Sequence, residues 1–448
     1  MKTLKNQFSF PLLAALLIFL SSCDDKIKQE VKYTANVPIY QSMAEVLSKV
    51  GFGEERTLEN LGKIYSYGDL IYIGEIGAGV HVFDNSNPQS PVKLGFINIP
   101  SNKDIAIRGN YLYADCHTDL LVLKMNSATN YELVNRVEGI FDYTIPSYDS
   151  RYPLANVDPS IGIVIGYRIE EFTDTRNHMG NLGYTGDESS PFIVRDQSFA
   201  QNSTPSFGGV GDMSGRSLST TGGNEGVGGS YAQFMLVDDY LYVMSSTSEI
   251  DFFSLQDPVN PTASGDFSPG WDIETLYRNG DHLFIGGRMG MYIYSIDNPA
   301  DPEYVSEFNH ATACDPVVAD DDFAYVTLRT GTECWGELNE LNVISLENIQ
   351  NPQLMEVVQM TGPWGLGLDA DRDLLFVCDG DNGLKVFNVE NPLDINNAGI
   401  QHIQGVASRD VIPLDGRLMM IADDGLYQYD YSSGNAWLNL MSVINIGS

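Results

Sequence analysis

Basic residues are scarce in this chain. Lys and Arg number 25 against 60 Asp and Glu in 448 residues, a formal charge of -35. Such a field opposes nonspecific binding to nucleic acid or to an anionic membrane surface, and favours cations or solubility. Histidine is also thin, six residues with no HExxH or similar zinc spacing. No GxSxG elbow and no repeated quinone-cofactor signature occur. Gly286-Gly287-Arg288 and the Gly-rich tract near residue 210 are followed by no helix, which excludes a nucleotide cradle. Long apolar runs are missing except Phe8–Leu20, shorter than the roughly 20 residues that span a bilayer.

What that short run does carry is an address. Lys2 and Lys5 precede it, and Leu20-Ser21-Ser22-Cys23 follows it, the order of a secretory leader. LSSC resembles a bacterial lipobox, which implies cleavage after residue 22 and acylation of Cys23. The partner implied is a lipid bilayer, reached through that acyl group. Asp24 and Asp25 resemble the surface-export signals of lipoproteins in the Bacteroidetes group. The expected division is a signal peptide over 1–22, a tether and packing segment over 23–60, and a main body over 61–448. Within the tether, Met43, Val46, Leu47 and Val50 share one face of a short helix expected in Tyr40–Val50.

The main body is rich in aromatics (11%, including 24 Tyr) and in Gly (43 residues), which suits short strands and tight turns. One phrase repeats along it. In Pro363–Val389 it reads as a short apolar strand, a polar turn, Leu374–Cys378, a Gly/Asp turn and a third strand leading to Asn391-Pro392. The second-strand cores recur as Leu70–Ile73, Tyr111–Ala114, Tyr240–Val243, His282–Ile285, Phe323–Val326, Leu374–Val377 and Arg417–Met420. A fourth strand follows each proline, which falls between strands where no ladder N–H is needed.

Four short strands with apolar faces gain stability by stacking radially, and most intervals approach the 40–45 residues of a propeller blade. The fold expected is therefore all-β, a seven-bladed β-propeller of four-stranded antiparallel blades, with a β-solenoid of the same repeats as the alternative. The phase, from Gly62 to a last strand near Leu438–Ile446, lets the ring close without a strand borrowed from the N-terminus. Residues 142–230 interrupt the repeat between blades 2 and 3. Ile161–Phe172 suits an extended strand or ribbon, and the Gly/Ser/Thr/Asn-rich remainder reads as a long loop.

The third strands LLVLK (Leu120–Lys124), LNVIS (Leu341–Ser345) and LKVFN (Leu384–Asn388) resemble the bacterial LVIVD-repeat family of β-propeller lipoproteins. VPIYQSM, GKIYSYG and VFDNSNPQSP resemble its Bacteroidetes branch. IDFFSL in blade 3 and LYQYDY in blade 7 depart from the motif. The resemblance implies a propeller and an outer-membrane, cell-surface address, and supplies no catalytic residues.

In a four-stranded blade the entry to the innermost strand A and the loop between strands B and C share one end. Asp104, Asp272, Asp315 and Asp410 occupy similar phases there. They predict either a partial acidic ring for a cation or polar ligand, or carboxylates that cap turns and backbone. Trp271 and Trp364 sit at the same entries, suited to stacking on a sugar, to holding a protein partner, or to wedging blades apart. Cys314 and Cys334 fall in the entry and B–C loop of blade 5, so topology and an oxidising address predict a disulfide. Cys116 and Cys378 end B strands and read as buried thiols.

Asp369-x-Asp371-x-Asp373 and Asp379-Gly-Asp381 have the composition of structural calcium loops, but the first lacks the following Gly and distant Glu. No other cofactor is implied. Two functional classes remain: a binding or assembly scaffold for a glycan or protein partner, and an exported carbohydrate- or ester-processing hydrolase.

Overall fold

The computed structural model describes residues 31–174, 225–231, 233–309, 316–329, 338–433 and 437–447. Seven antiparallel sheets follow one another as seven blades, spanning 61–98, 105–137, 234–267, 273–309, 317–359, 366–403 and 408–445. Each blade takes its four strands A to D from one continuous stretch. The innermost strands are Leu61–Tyr67, Ile105–Arg108, Phe234–Val237, Ile273–Asn279, Val317–Ala319, Leu366–Asp369 and Ser408–Leu414.

The repeat phrase translates into the same hydrogen bonds blade after blade. The residue after strand C donates its N–H to the turn between A and B, as in Asn85 to Asp69, Leu255 to Asp239, Ile296 to Asp281 and Val389 to Asp373. A register shift then interrupts the C–D pairing in every blade, for example between Val82 and Phe83, Ile293 and Tyr294, and Val386 and Phe387. Such a bulge bends the outer strand and strengthens twist, which lets flat pairs become blades.

Apolar residues decide which strands lie inside. Strand B of blade 6, Leu374–Cys378, is buried at every position, whereas its outer strand Gly399–Ile403 is not. The third residues of the seven B cores, Tyr72, Tyr113, Tyr242, Phe284, Tyr325, Phe376 and Met419, are all at most 1% exposed. Burying side chains of this size contributes about 1.5–3 kcal/mol each. Two of the tyrosines also tie neighbouring blades: Tyr113 donates to the Pro258 carbonyl at 2.9 Å and Tyr242 to that of Pro299 at 2.7 Å.

The ring closes between blades 7 and 1 by side chains. Asn85 and Gln428 exchange amide hydrogen bonds of 2.9 and 2.8 Å, and Ser442 donates to the Pro88 carbonyl. Among the described residues no strand is exchanged to close it. The N-terminal segment instead adds Gly51–Gly53 to the outer edge of blade 1. The expected helix shortens to Met43–Leu47, started by a capping box in which Ser42 and Glu45 bond each other's backbone N–H.

A second compact unit contains residues 31–40 and the described part of 146–201. In it Val31–Gln41 pairs with Ile163–Asp174. The Asn36 side-chain amide donates to the carbonyls of Asp149 and Tyr152, both at 2.8 Å.

Candidate functional site

The end of the ring where strands A begin is organised by acids that end B strands. Glu75 accepts from the backbone N–H of Glu59 and Asn60 in blade 1. In blade 2, Asp115 accepts from those of Lys103 and Asp104. In blade 6, Asp379 accepts from Thr361 and Gly362, both at 2.9 Å, and pairs with Lys385 at 2.9 Å. Each acid thus ties down its own blade's entry loop, replacing water for N–H groups no strand satisfies. Burial works against ionisation of Asp379, but the Asn382 amide, the Gly362 N–H and Lys385 outweigh it and hold the carboxyl below its usual range.

This arrangement accounts for the two calcium-like stretches. Asp379 is a buried backbone cap, while Asp381 is exposed. Asp369 sits at the opposite, A–B end and accepts from the Tyr431 hydroxyl at 2.8 Å. Among the described residues no group of three or more His, Cys, Asp or Glu is placed to hold a metal ion.

Strand register defines which residues share a level in the channel. Four residues back from the strand-A residue that opposes the start of each B core stand Lys63, Asp104, Gln233, Thr275, Pro316, Gly365 and Asp410 in blades 1 to 7. Asp104 and Asp410 are therefore equivalent. Asp272 is not: it lies three residues before Thr275, with a register shift between Ile273 and Thr275. It takes a left-handed φ of 53° and pairs with Arg288 at 3.2 Å. Asp315 lies outside the described residues.

The residue the sequence reading passed over is Lys63. It stands in blade 1 between the two acids of blades 7 and 2, buried, with its ammonium 2.8 Å from the Asp104 carboxylate. Burial lowers its pKa, partly offset by Asp104. Burial also pushes Asp410 up to about 7, against the hydrogen bonds from Ser230 and the charge of Lys63.

Residues 225–231 fill the channel at this level. Val227 and Gly228 pair with Ser66 and Tyr65 on the inner edge of blade 1. Gly226 donates its N–H to the Ile107 carbonyl of blade 2 at 2.9 Å. The Ser230 hydroxyl donates to Asp410 of blade 7 at 3.0 Å and accepts from the Leu366 N–H of blade 6 at 3.0 Å. Beyond it, the N–H groups of Gln233 and Phe234 donate to Asp104. Close approach demands glycine here. A Cβ on Gly229 or on Gly365 would overlap a carboxylate oxygen of Asp410. Of the two equivalent acids, Asp410 thus anchors the chain's own plug and Asp104 anchors the start of blade 3 that follows it.

The aromatic residues divide. Trp271 is 79% exposed, on a loop held by the Ile273 N–H to Thr247 of blade 3 and the Arg288 N–H to Asp272. Trp364 is half-buried and packs against the apolar residues of blades 1, 6 and 7. Two guanidinium groups lie over its ring, Arg329 of blade 5 at 3.6 Å and Arg409 of blade 7 at 4.4 Å. Arg409 also grips Asp423 through a fork, Nε to Oδ1 at 2.6 Å. Trp364 is in this respect the wedge, and Trp271 the open surface.

The cysteine expectation needs correction. No disulfide is present among the described residues, where Cys116 and Cys378 are free and buried. Cys314 and Cys334 lie outside those residues, so the expected bridge is withdrawn. Burial raises the Cys116 thiol to about 12 and holds Cys378 well above its usual value, which keeps both protonated. Cys23 also lies outside the described residues.

No family model matches the chain, and no curated protein matches it. Solved structures are similar at low identity. Sqt1 of Saccharomyces cerevisiae aligns with a TM-score of 0.49 at 7% identity, over 93% of this chain and 90% of its own. The computationally designed Ika8 protein gives 0.47 at 8%, over 88% and 90%. BamB of Moraxella catarrhalis gives 0.44 at 10%, over 84% and 85%.

Proposed function

We propose that the protein is an exported envelope lipoprotein of LVIVD-repeat type, anchored in the outer membrane through Cys23. Its propeller acts as a binding scaffold that recognises a glycan at the end where the inner strands begin. The observation that carries this reading is the exposed Trp271 on a pinned loop at that end, beside a channel already filled by residues 225–231. An aromatic face of this kind, held by backbone bonds to two blades, stacks on a sugar ring with little ordering cost. The leader features and the third-strand motifs support the address.

The hydrolase reading gains nothing from the geometry. Asp104 and Asp410, the two acids brought to one level, are buried and bonded to backbone or to Ser230. A glycosidase needs a carboxyl pair facing an open cleft.

Two measurements test the proposal. Metabolic palmitate labelling is expected in the native chain and lost in Cys23→Ala; a label that survives defeats the anchor. On a glycan array, Trp271→Ala is expected to lower binding by about tenfold, the loss of a stacking contact. Binding unchanged in that variant, or capture of a protein ligand with no glycan bound, defeats the glycan reading.

A further inference from the structure

Arg329 is an anomaly among the cations of this end. Arg409 closes on Asp423, Arg288 on Asp272, Lys385 on Asp379 and Lys63 on Asp104. Arg329 makes no ion pair or hydrogen bond among the described residues, and its Nε is enclosed without a partner. It is half-buried, at the end of strand B of blade 5, with Cζ of its guanidinium over the Trp364 ring, 3.6 Å from the centroid. A guanidinium kept partly out of water, in a chain of charge -35, ordinarily faces a carboxylate fork.

The surroundings favour an anion from outside. Stacking on indole fixes the plane of the group and leaves its edge donors directed along that plane, the geometry of bidentate recognition. Arg409 over the same indole is already met by the Asp423 fork and by Asp381 at 3.9 Å, which leaves Arg329 as the cation of this stack that lacks an acid among the described residues. Tyr231, at the end of the plug, lies within the field of Arg329 and stays protonated because burial raises its pKa. A protein this acidic repels densely charged polymers at long range. A single short-range carboxylate escapes most of that repulsion.

We propose that Arg329, stacked on Trp364 beside Tyr231, forms a subsite for the carboxylate of an acidic sugar. The assignment rests on the glycan reading above and adds the class of sugar: a uronic acid residue, its carboxylate against the Arg329 fork. Trp271 then contributes affinity for sugar rings in general, and Arg329 the selection for the acid.

Calorimetric titration of the full chain with trigalacturonate and with its methyl ester tests this. The acid is expected to bind about tenfold tighter than the ester, the scale of one charge-assisted fork. Arg329→Gln is expected to bring binding of the acid down to that of the ester, and Arg329→Lys to retain part of the preference. Arg372→Gln, at the opposite end, keeps it whole. If Arg329→Gln does not fold, loss of preference in the Lys variant serves the same purpose. Equal binding of acid and ester, or a preference that survives Arg329→Gln, overturns the subsite while leaving the glycan reading intact. Binding of neither probe overturns the carboxylate subsite, and Trp271→Ala on the glycan array then decides the broader reading separately.

Discussion

The Lys63 ammonium of blade 1 sits 2.8 Å from the Asp104 carboxylate of blade 2, both buried. The same carboxylate accepts the N–H groups of Gln233 and Phe234, where the chain enters blade 3. One acid therefore joins blades 1, 2 and 3. Removing its cation leaves a buried charge with only backbone donors. Lys63→Met is expected to cost about 3 kcal/mol in urea denaturation. Adding Asp104→Asn to that variant should recover part of the loss, and a single-variant cost below about 1 kcal/mol would show that Lys63 is a spectator.

Asp410 makes stability depend on pH in a defined direction. Its carboxyl is pushed up to about 7 from an ordinary 3.8. Between those values the folded chain keeps a proton that the unfolded chain has lost. The contribution to unfolding free energy therefore falls as pH rises from about 4 to 7, by up to about 4 kcal/mol, and is flat above. Lys63 opposes the shift, while Tyr231 and Cys378, which also face this acid, remain neutral throughout. The difference in denaturation midpoint between the native chain and Asp410→Asn, followed from pH 4.5 to 8 (a range of about 3.5 units spanning the transition), should show that slope. A difference independent of pH would refute it.

Gly229 meets Asp410 with no room for a methyl group. Gly229→Ala must push the plug off its anchor or bend the carboxylate, a cost of about 1–3 kcal/mol. Because 225–231 would loosen, amide exchange at Gly226, whose N–H bonds Ile107, should accelerate more than exchange in strand B of blade 4. Uniform acceleration would point to global destabilisation instead.

Asp379 separates the capping role from a calcium role. Asp379→Ala removes the acceptor for Thr361 and Gly362 and strands Lys385, so a loss of about 3 kcal/mol is expected. Chelation of calcium should leave the melting temperature of the native chain unchanged. A drop on adding chelator would restore the calcium interpretation for this end.

The blades were legible because strands buried on both faces read as short, nearly continuous apolar runs. LIYI, YLYA and LLFV are such runs, and the turn chemistry around Asn391-Pro392 marks their punctuation. The channel was less legible. A lysine in GKIYSYG reads as an outward residue, and only ring closure reveals that Lys63 points between two acids. Asp272 resembled Asp104 in sequence because each is an acid just before an apolar strand start, and only the strand pairing counts the three residues by which Asp272 falls short of Thr275. The plug was hidden most deeply. NEGVGGSY reads as loop, since glycine needed for close approach to Tyr65 and Asp410 looks the same as glycine needed for freedom. Its one signal was Val227 and Tyr231 at the end of an otherwise polar tract.

Ser230 is bonded to Asp410, 180 residues further along the chain. A chain made from its N-terminus can therefore seat one end of this axial segment early, on Tyr65 and Ser66 of blade 1 and Ile107 of blade 2, while Ser230 waits for its partners in blades 6 and 7. The last of these bonds forms only when blade 7 arrives. A truncation before residue 410 should accordingly leave the Ser230 end of the segment accessible to protease, however well the earlier blades have formed.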